Sequence, residues 1–249
     1  MTGKRAMFSF NQSIMTRFAT TAVQLVAAFC LTLAHGATGD DALGLTPGGP
    51  GGWGFYPAPK GDPSLPHVLL IGDSIVNGYR GTVIRDLAGK ASVDVWLTPA
   101  AESDPKLLDA LHKVLTHGPY TVIHFNIGLH GWPAGRIPEG QYEPLMKAYV
   151  TALREGAPKS TLIWASSTPI TVQGKPAEAD PVNNPTITQR NAMAAKIMAD
   201  NHIAIDDLGS LMAPNLKLAA GDKFHWTKEG IELQGKAVST IILKALPTS

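Results

Sequence analysis

From residue 67 to residue 246, short apolar runs alternate with longer segments that are apolar on one side only. That alternation limits the possible folds more than any other feature of the chain. The runs 68–71, 93–97, 120–125, 161–165 and 203–205 have the length and content of strands buried on both faces. Between and after them, segments 76–88, about 105–115, 142–154, 187–200 and 227–246 read as helices. Parallel strands need crossover connections, and helices supply them, so the pattern predicts an α/β fold with a parallel sheet covered on both faces. In such sheets functional groups collect beyond the carboxyl ends of the strands. Ser74, Asn126 and Thr168 all fall just past predicted strand ends.

Charge excludes one large class of partners. Lys and Arg number 21 against 20 Asp and Glu, and no basic block occurs, so a nucleic-acid partner is not expected. The N-terminus differs from the rest. Lys4, Arg5 and Arg17 precede an uncharged stretch, 18–34, and small residues follow at Ala34, Gly36 and Ala37. These are the parts of a secretory signal over residues 1–37, with cleavage between Ala34 and Ala37. The rival reading is an uncleaved anchor, because the stretch approaches the ~20 residues that span a bilayer. The signal reading predicts a secreted or periplasmic protein with no stable membrane association after cleavage. Cys30, the one cysteine, lies inside that segment, so the mature chain would form no disulfide. Residues 38–65 are rich in Gly and Pro and read as a linker, with Trp53, Phe55 and Tyr56 pinning it to the domain of residues 66–249. No Gly-Lys-Ser/Thr ending follows the glycines, which argues against a phosphate loop.

Two short motifs carry the chemistry. Gly72-Asp73-Ser74-Ile75 places a serine where a strand turns into a helix. That serine is either a helix cap or a nucleophile helped by the field of the helix start. Gly-x-Ser-x-Gly is not its context, because Val76 stands at the last position. Near the other end, Asp222-Lys223-Phe224-His225 offers a carboxylate and an imidazole that a tight turn at Gly221 would bring together. His225 alone would equally suit the cap region of the last helix. The remaining histidines form no metal pattern: His112 and His117 are wrongly spaced for one helical face, and His124 reads as a core residue. Asp206 and Asp207 are adjacent on a strand end and point to opposite faces. Neither a metal nor another cofactor is expected.

Taken together, these motifs resemble the SGNH (GDSL-type) hydrolase family. Asn126-Ile127-Gly128-Leu129-His130 looks like the Asn-x-Gly-Leu-His variant of that family's third block. Trp164 to Pro169, Gln189 to Ala192, and Phe224 to Gly230 are similar to further segments, so the likeness runs over about residues 66–246 in the expected order. It implies a three-layer α/β/α flavodoxin-like sandwich with a five-stranded parallel sheet and metal-free ester hydrolysis. It also implies that Ser74 is the nucleophile, His225 the base and Asp222 its orienting acid. The second block departs from the family. Its loop, Thr98-Pro99-Ala100-Ala101-Glu102-Ser103-Asp104, has neither the usual glycine nor the asparagine. The expected oxyanion donors are the Ser74 N–H, the loop at Ser103 (or Ala101) and the Asn126 side chain. His130 and Trp132 either line the substrate cleft or serve the fold. The expected substrate is a small-molecule or polysaccharide ester, with O-acetyl carbohydrate favoured by the variant block. A lipid-directed esterase or thioesterase and a catalytically silent carbohydrate-binding relative stay open, and so does the oligomeric state.

Overall fold

The structure is a computed structural model that describes residues 43–46, 49–59 and 62–247; the expected signal segment, with Cys30, lies outside them. Strand β2 (His67–Gly72) is buried at all but its first residue. It is flanked by β3 (Ser92–Leu97) and β4 (Val122–Phe125), and β5 (Thr161–Ala165) and β8 (Ala204–Asp206) extend the sheet. These five are the expected parallel strands, paired in the order β3-β2-β4-β5-β8. The chain passes from β2 to β3 on one side and then returns to β4 on the other. The crevice where ligands bind in such sheets therefore opens between the ends of β2 and β4.

Alternation along each strand builds two cores. Val68, Leu70, Val95, Val122 and Ile163 face α1 (Ser74–Asp86) and α6 (Lys228–Ala245), meeting Val76, Tyr79, Val83, Val238 and Ile242. Leu69, Ile71, Trp96, Ile123, Phe125 and Trp164 face the opposite way. They pack on α2 (Leu107–Leu115), α3 (Tyr142–Gly156) and α4 (Asn184–Asp200). Each fully buried aliphatic side chain in these layers contributes about 1.5–3 kcal/mol. One polar pair is built into the first core: His124 Nε2 lies 3.0 Å from Asp206 Oδ2, reaching across from β4 to β8. Asp207 points the other way, accepting from Ser166 Oγ and Ser210 N. The two adjacent aspartates thus serve different faces, as their positions required.

Residues expected to form a linker do more than pin themselves to a surface. Gly54–Tyr56 forms β1, an antiparallel edge on β3 with Phe55 opposite Trp96. Phe55 is buried and stacks on His117 at 4.2 Å. Arg80 lies 4.3 Å over the Tyr56 ring, Trp96 Nε1 donates to Leu43 O, and Ala58 N donates to Asp94 Oδ1. Residues 43–46 and 49–58 form a strap along the β3 edge. A second unforeseen element is a hairpin of β6 (Thr171–Val172) and β7 (Lys175–Ala179), turned at Gly174 between β5 and α4. Among the described residues no helix is long and apolar enough to cross a membrane.

Candidate active site

Ser74 is the first residue of α1, directly after the Gly72-Asp73 turn. The turn is tight: a β-carbon on Gly72 would lie 2.2 Å from Val76 Cγ2, so only glycine lets the strand run so close to the helix it feeds. Asp73 caps that helix, its Oδ1 accepting from Ile75 N at 2.9 Å. Its carboxylate is therefore occupied in holding the serine at the helix mouth. Burial pushes the Asp73 carboxyl up and the neighbouring His130 imidazole down, so both lean toward their neutral forms.

The last loop brings its groups to that serine. Between the short helix α5 (Leu208–Met212) and α6, Ala219 bridges to Trp226 and Ala220 N donates to His225 O. Within this closed turn Gly221 and Lys223 both have positive φ, of 90° and 84°. For Lys223 that is a strained conformation, tolerated where surrounding contacts over-determine it. Those contacts are identifiable: Thr171 N donates to Lys223 O, Gly174 N donates to Gly221 O, and Lys223 Nζ pairs with Asp180 at 2.9 Å. The hairpin β6–β7 thus braces the loop from outside. Asp222 Oδ1 accepts from His225 N at 2.9 Å, and Asp222 Oδ2 lies 2.6 Å from His225 Nδ1. The other ring nitrogen, Nε2, lies 2.9 Å from Ser74 Oγ. Burial pushes the Asp222 carboxyl up, but the hydrogen bonds from His225 and Phe224 outweigh it and hold the group below the ordinary carboxylate range. Ser74, His225 and Asp222 form one hydrogen-bonded chain across 151 residues of sequence.

The expected oxyanion donors are placed unevenly. No hydrogen bond among the described residues engages the backbone N–H of Ser74 or of Ser103. The Ser103 hydroxyl is turned to Arg136 O at 2.7 Å, and Arg136 Nη2 reaches back to Pro99 O. Asn126 lies at the end of β4, its Nδ2 donating to Ala165 O at 2.6 Å. A second, long contact of 3.5 Å joins Nδ2 to Ser167 Oγ. One N–H of that amide is therefore committed to the neighbouring strand.

His130 and Trp132 come from a 3-10 turn, Leu129–Gly131, and its flank. Leu129 turns inward to Ile170 and Ile187, with Ile75, Trp132 and Phe224 packed on the same cluster. Trp132 lies 5.9 Å from the Phe224 ring, with Lys223 Nζ 5.3 Å above it. His130 meets the Trp53 ring edge-on at 5.4 Å. Sequence reasoning missed Trp53 and Phe224 as neighbours of the site; their only signal was being aromatics beside glycine and beside the histidine motif. A cavity of about 440 Å³ beyond β5 and β8 is lined by Ser166, Asn191 and Asp207, but by none of Ser74, Asp222 and His225. Those three residues lie outside it, with the His225 side chain 43% exposed and Ser74 half-buried. Among the described residues no group of three or more His, Cys, Asp or Glu side chains is arranged to hold a metal ion.

No protein-family model and no curated protein sequence matches this chain. Solved structures do. An aryl esterase from M. smegmatis superposes with a TM-score of 0.61 at 17% identity, covering 73% of this chain and 100% of its own. A carbohydrate esterase family 3 protein from Talaromyces cellulolyticus gives 0.59 at 13% identity, covering 72% and 97%. A GDSL-like lipase from Bacteroides thetaiotaomicron VPI-5482 gives 0.56 at 16%, covering 72% and 89%. With its mostly parallel sheet and two helical layers, the chain has the fold shared by these GDSL-like and esterase structures.

Proposed function

We propose that this protein is a carboxylic ester hydrolase that releases short acyl groups, acetyl foremost, from carbohydrate through an acyl-enzyme. One observation carries the reading: the Ser74 Oγ to His225 Nε2 contact of 2.9 Å, continued by His225 Nδ1 to Asp222 at 2.6 Å. A serine hydroxyl becomes a nucleophile when an adjacent base takes its proton. His225 does so through Nε2, while Asp222 fixes the other nitrogen as the N–H donor and stabilises the imidazolium that forms. Ser74 Oγ bonds to the acyl carbon, and the carbonyl electrons move onto oxygen. That oxyanion is met by the free N–H groups of Ser74 and Ser103, with the second N–H of Asn126 at the edge. His225 then gives its proton to the departing alcohol, and a water attacks the acyl-serine by the same route.

The substrate class follows from the surroundings. The His225 side chain stands exposed, which suits a polymeric substrate. Trp132 and Phe224 flank it with a ring pair of the kind on which apolar sugar faces stack. A carbohydrate esterase among the structural neighbours agrees with this choice. The expected N-terminal signal supports the reading, since it would carry the protein outside the cytoplasm, where such glycans are met. The test compares p-nitrophenyl acetate, butyrate and octanoate, and acetate release from acetylated xylan, for the parent protein and Ser74→Ala. Turnover that falls with acyl length, includes the glycan and vanishes in the variant is expected. Equal turnover by Ser74→Ala would sink the mechanism, and exclusive cleavage of the octanoate would sink the substrate class.

A further inference from the structure

Behind the site lies a buried acid that the proposed reaction does not use. Glu102, in the loop after β3, is only 5% exposed, and neither of its carboxyl oxygens has a hydrogen-bond partner among the described residues. Its Oε2 occupies the notch left by the missing side chain of Gly131: a β-carbon there would fall 2.6 Å from it. The same β-carbon position is 3.5 Å from Arg190 Nη1, so the sum of the two distances, 6.1 Å, is the greatest separation of carboxyl and guanidinium. The two nonetheless form no ion pair among the described residues. Arg190 Nη1 donates instead to Gly131 O, and its guanidinium lies 5.3 Å over the Tyr142 ring.

Glu102 therefore stands between two loops of the site. Its own loop carries Ser103, tied to the Arg136 segment by Ser103 Oγ and by Arg136 Nη2. Across the notch is the turn that carries His130 and Trp132. The charged and titratable groups facing the acid are Arg190 from α4, Arg136 from the following loop, Asp73 from the end of β2, and Tyr142 and Tyr149 from α3. His130 lies beside Asp73. Burial, opposed by the acid's own backbone N–H and the two arginines and reinforced by Asp73, pushes the Glu102 carboxyl up to about 7.

We propose that Glu102 is a positioning residue which, while neutral, locks the Ser103 loop to the turn bearing His130 and Trp132, and which releases that turn on ionising. The neutral acid fits the Gly131 notch. A carboxylate there has no donor beyond the acid's own backbone N–H, and the next available one is Arg190 Nη1, now engaged with Gly131 O. When that guanidinium turns to the carboxylate, Gly131 loses its partner and the turn loosens. The effect on activity rests on the esterase reading, whereas the movement itself does not.

The test therefore has two readouts. Trp132 flanks the turn and Trp53 contacts His130, so intrinsic fluorescence reports the turn without any substrate. The parent is expected to show a pH-dependent emission change centred near 7, where the Glu102 carboxyl titrates, and Glu102→Gln is expected to lack it. On p-nitrophenyl acetate, the ratio of kcat/KM at about pH 8.5 to that at about pH 6 should be at least ~3-fold higher in Glu102→Gln than in the parent. Arg190→Gln, which removes the cation, should move the fluorescence midpoint upward. The same fluorescence titration in parent and Glu102→Gln would overturn the proposal, as would an unchanged activity ratio. Should Glu102→Gln fail to fold, an unshifted midpoint in Arg190→Gln overturns it. A parent without esterase activity would instead defeat the catalytic reading, leaving fluorescence to decide the movement.

Discussion

Replacing Glu102 by glutamine should make the folded protein more stable, and by an amount that depends on pH. The acid is buried without a hydrogen-bond partner, and its carboxyl is raised from 4.5 to about 7. Between those values the folded state holds a proton that the unfolded state has released. Stability therefore falls as pH rises through that window, being fully present below 4.5 and lost above about 7. A shift of about 2.5 units at ~1.4 kcal/mol each makes the penalty about 3 kcal/mol once the acid is ionised. Glutamine keeps the shape and cannot ionise. Urea unfolding of parent and variant at about pH 4 and about pH 8 measures the difference. The variant should gain about 3 kcal/mol at the higher pH and close to nothing at the lower. Equal differences at the two pH values would refute the reasoning, because only a change in ionisation separates them.

Other substitutions test the remaining arrangement. Asp222→Asn should lower kcat by about 10²–10⁴-fold, since the ring loses the partner that fixes its tautomer, while circular dichroism stays that of the parent. Because the Asp222 carboxyl is held below its ordinary range, its stabilising contacts exist above 3.8 and fade as pH falls through its folded value. Acid unfolding followed by denaturant midpoints should therefore show a shallower loss in Asp222→Asn than in the parent. Phe55→Ala should cost about 3 kcal/mol or more in chemical denaturation, because a buried ring on the β3 edge is replaced by a cavity. Trp132→Ala should raise KM for acetylated oligosaccharide more than for p-nitrophenyl acetate, as steady-state kinetics on the two substrates would show.

The five parallel strands and their helices were legible because buried strands and half-buried helices leave periodic marks. The expected strand 203–205 and helix 187–200 differ from Ala204–Asp206 and Asn184–Asp200 only at their ends. The strand-to-helix serine and the Asp-x-x-His turn were each legible as local motifs, whereas joining Ser74, Asp222 and His225 in one site came from the resemblance to the SGNH family. What escaped depends on partners remote in sequence. Gly54-Phe55-Tyr56 has three residues and a glycine, and it becomes a strand only because β3 offers an open edge. The hairpin from Thr171 to Ala179 is mostly exposed and carries no apolar alternation, and it takes its shape from the His225 loop it braces. Glu102 entered only as one residue of the 98–104 loop, and nothing nearby in sequence announces the Gly131 notch that buries it.

The strap over β3 also covers a sheet edge of the kind that pairs with other chains. The sequence beneath it, Ser-Val-Asp-Val-Trp-Leu, is extended and rich in β-branched and aromatic residues, and without β1 its outer row of peptide groups would be bare. Bare edges of that kind recruit other chains, whereas the opposite edge, β8, is only three residues long. A version trimmed to begin at Pro66 would therefore keep Ser74, Asp222 and His225 and is still expected to precipitate. Gly54–Tyr56 occupies the outer row of β3 peptide groups on which a neighbouring molecule would otherwise pair.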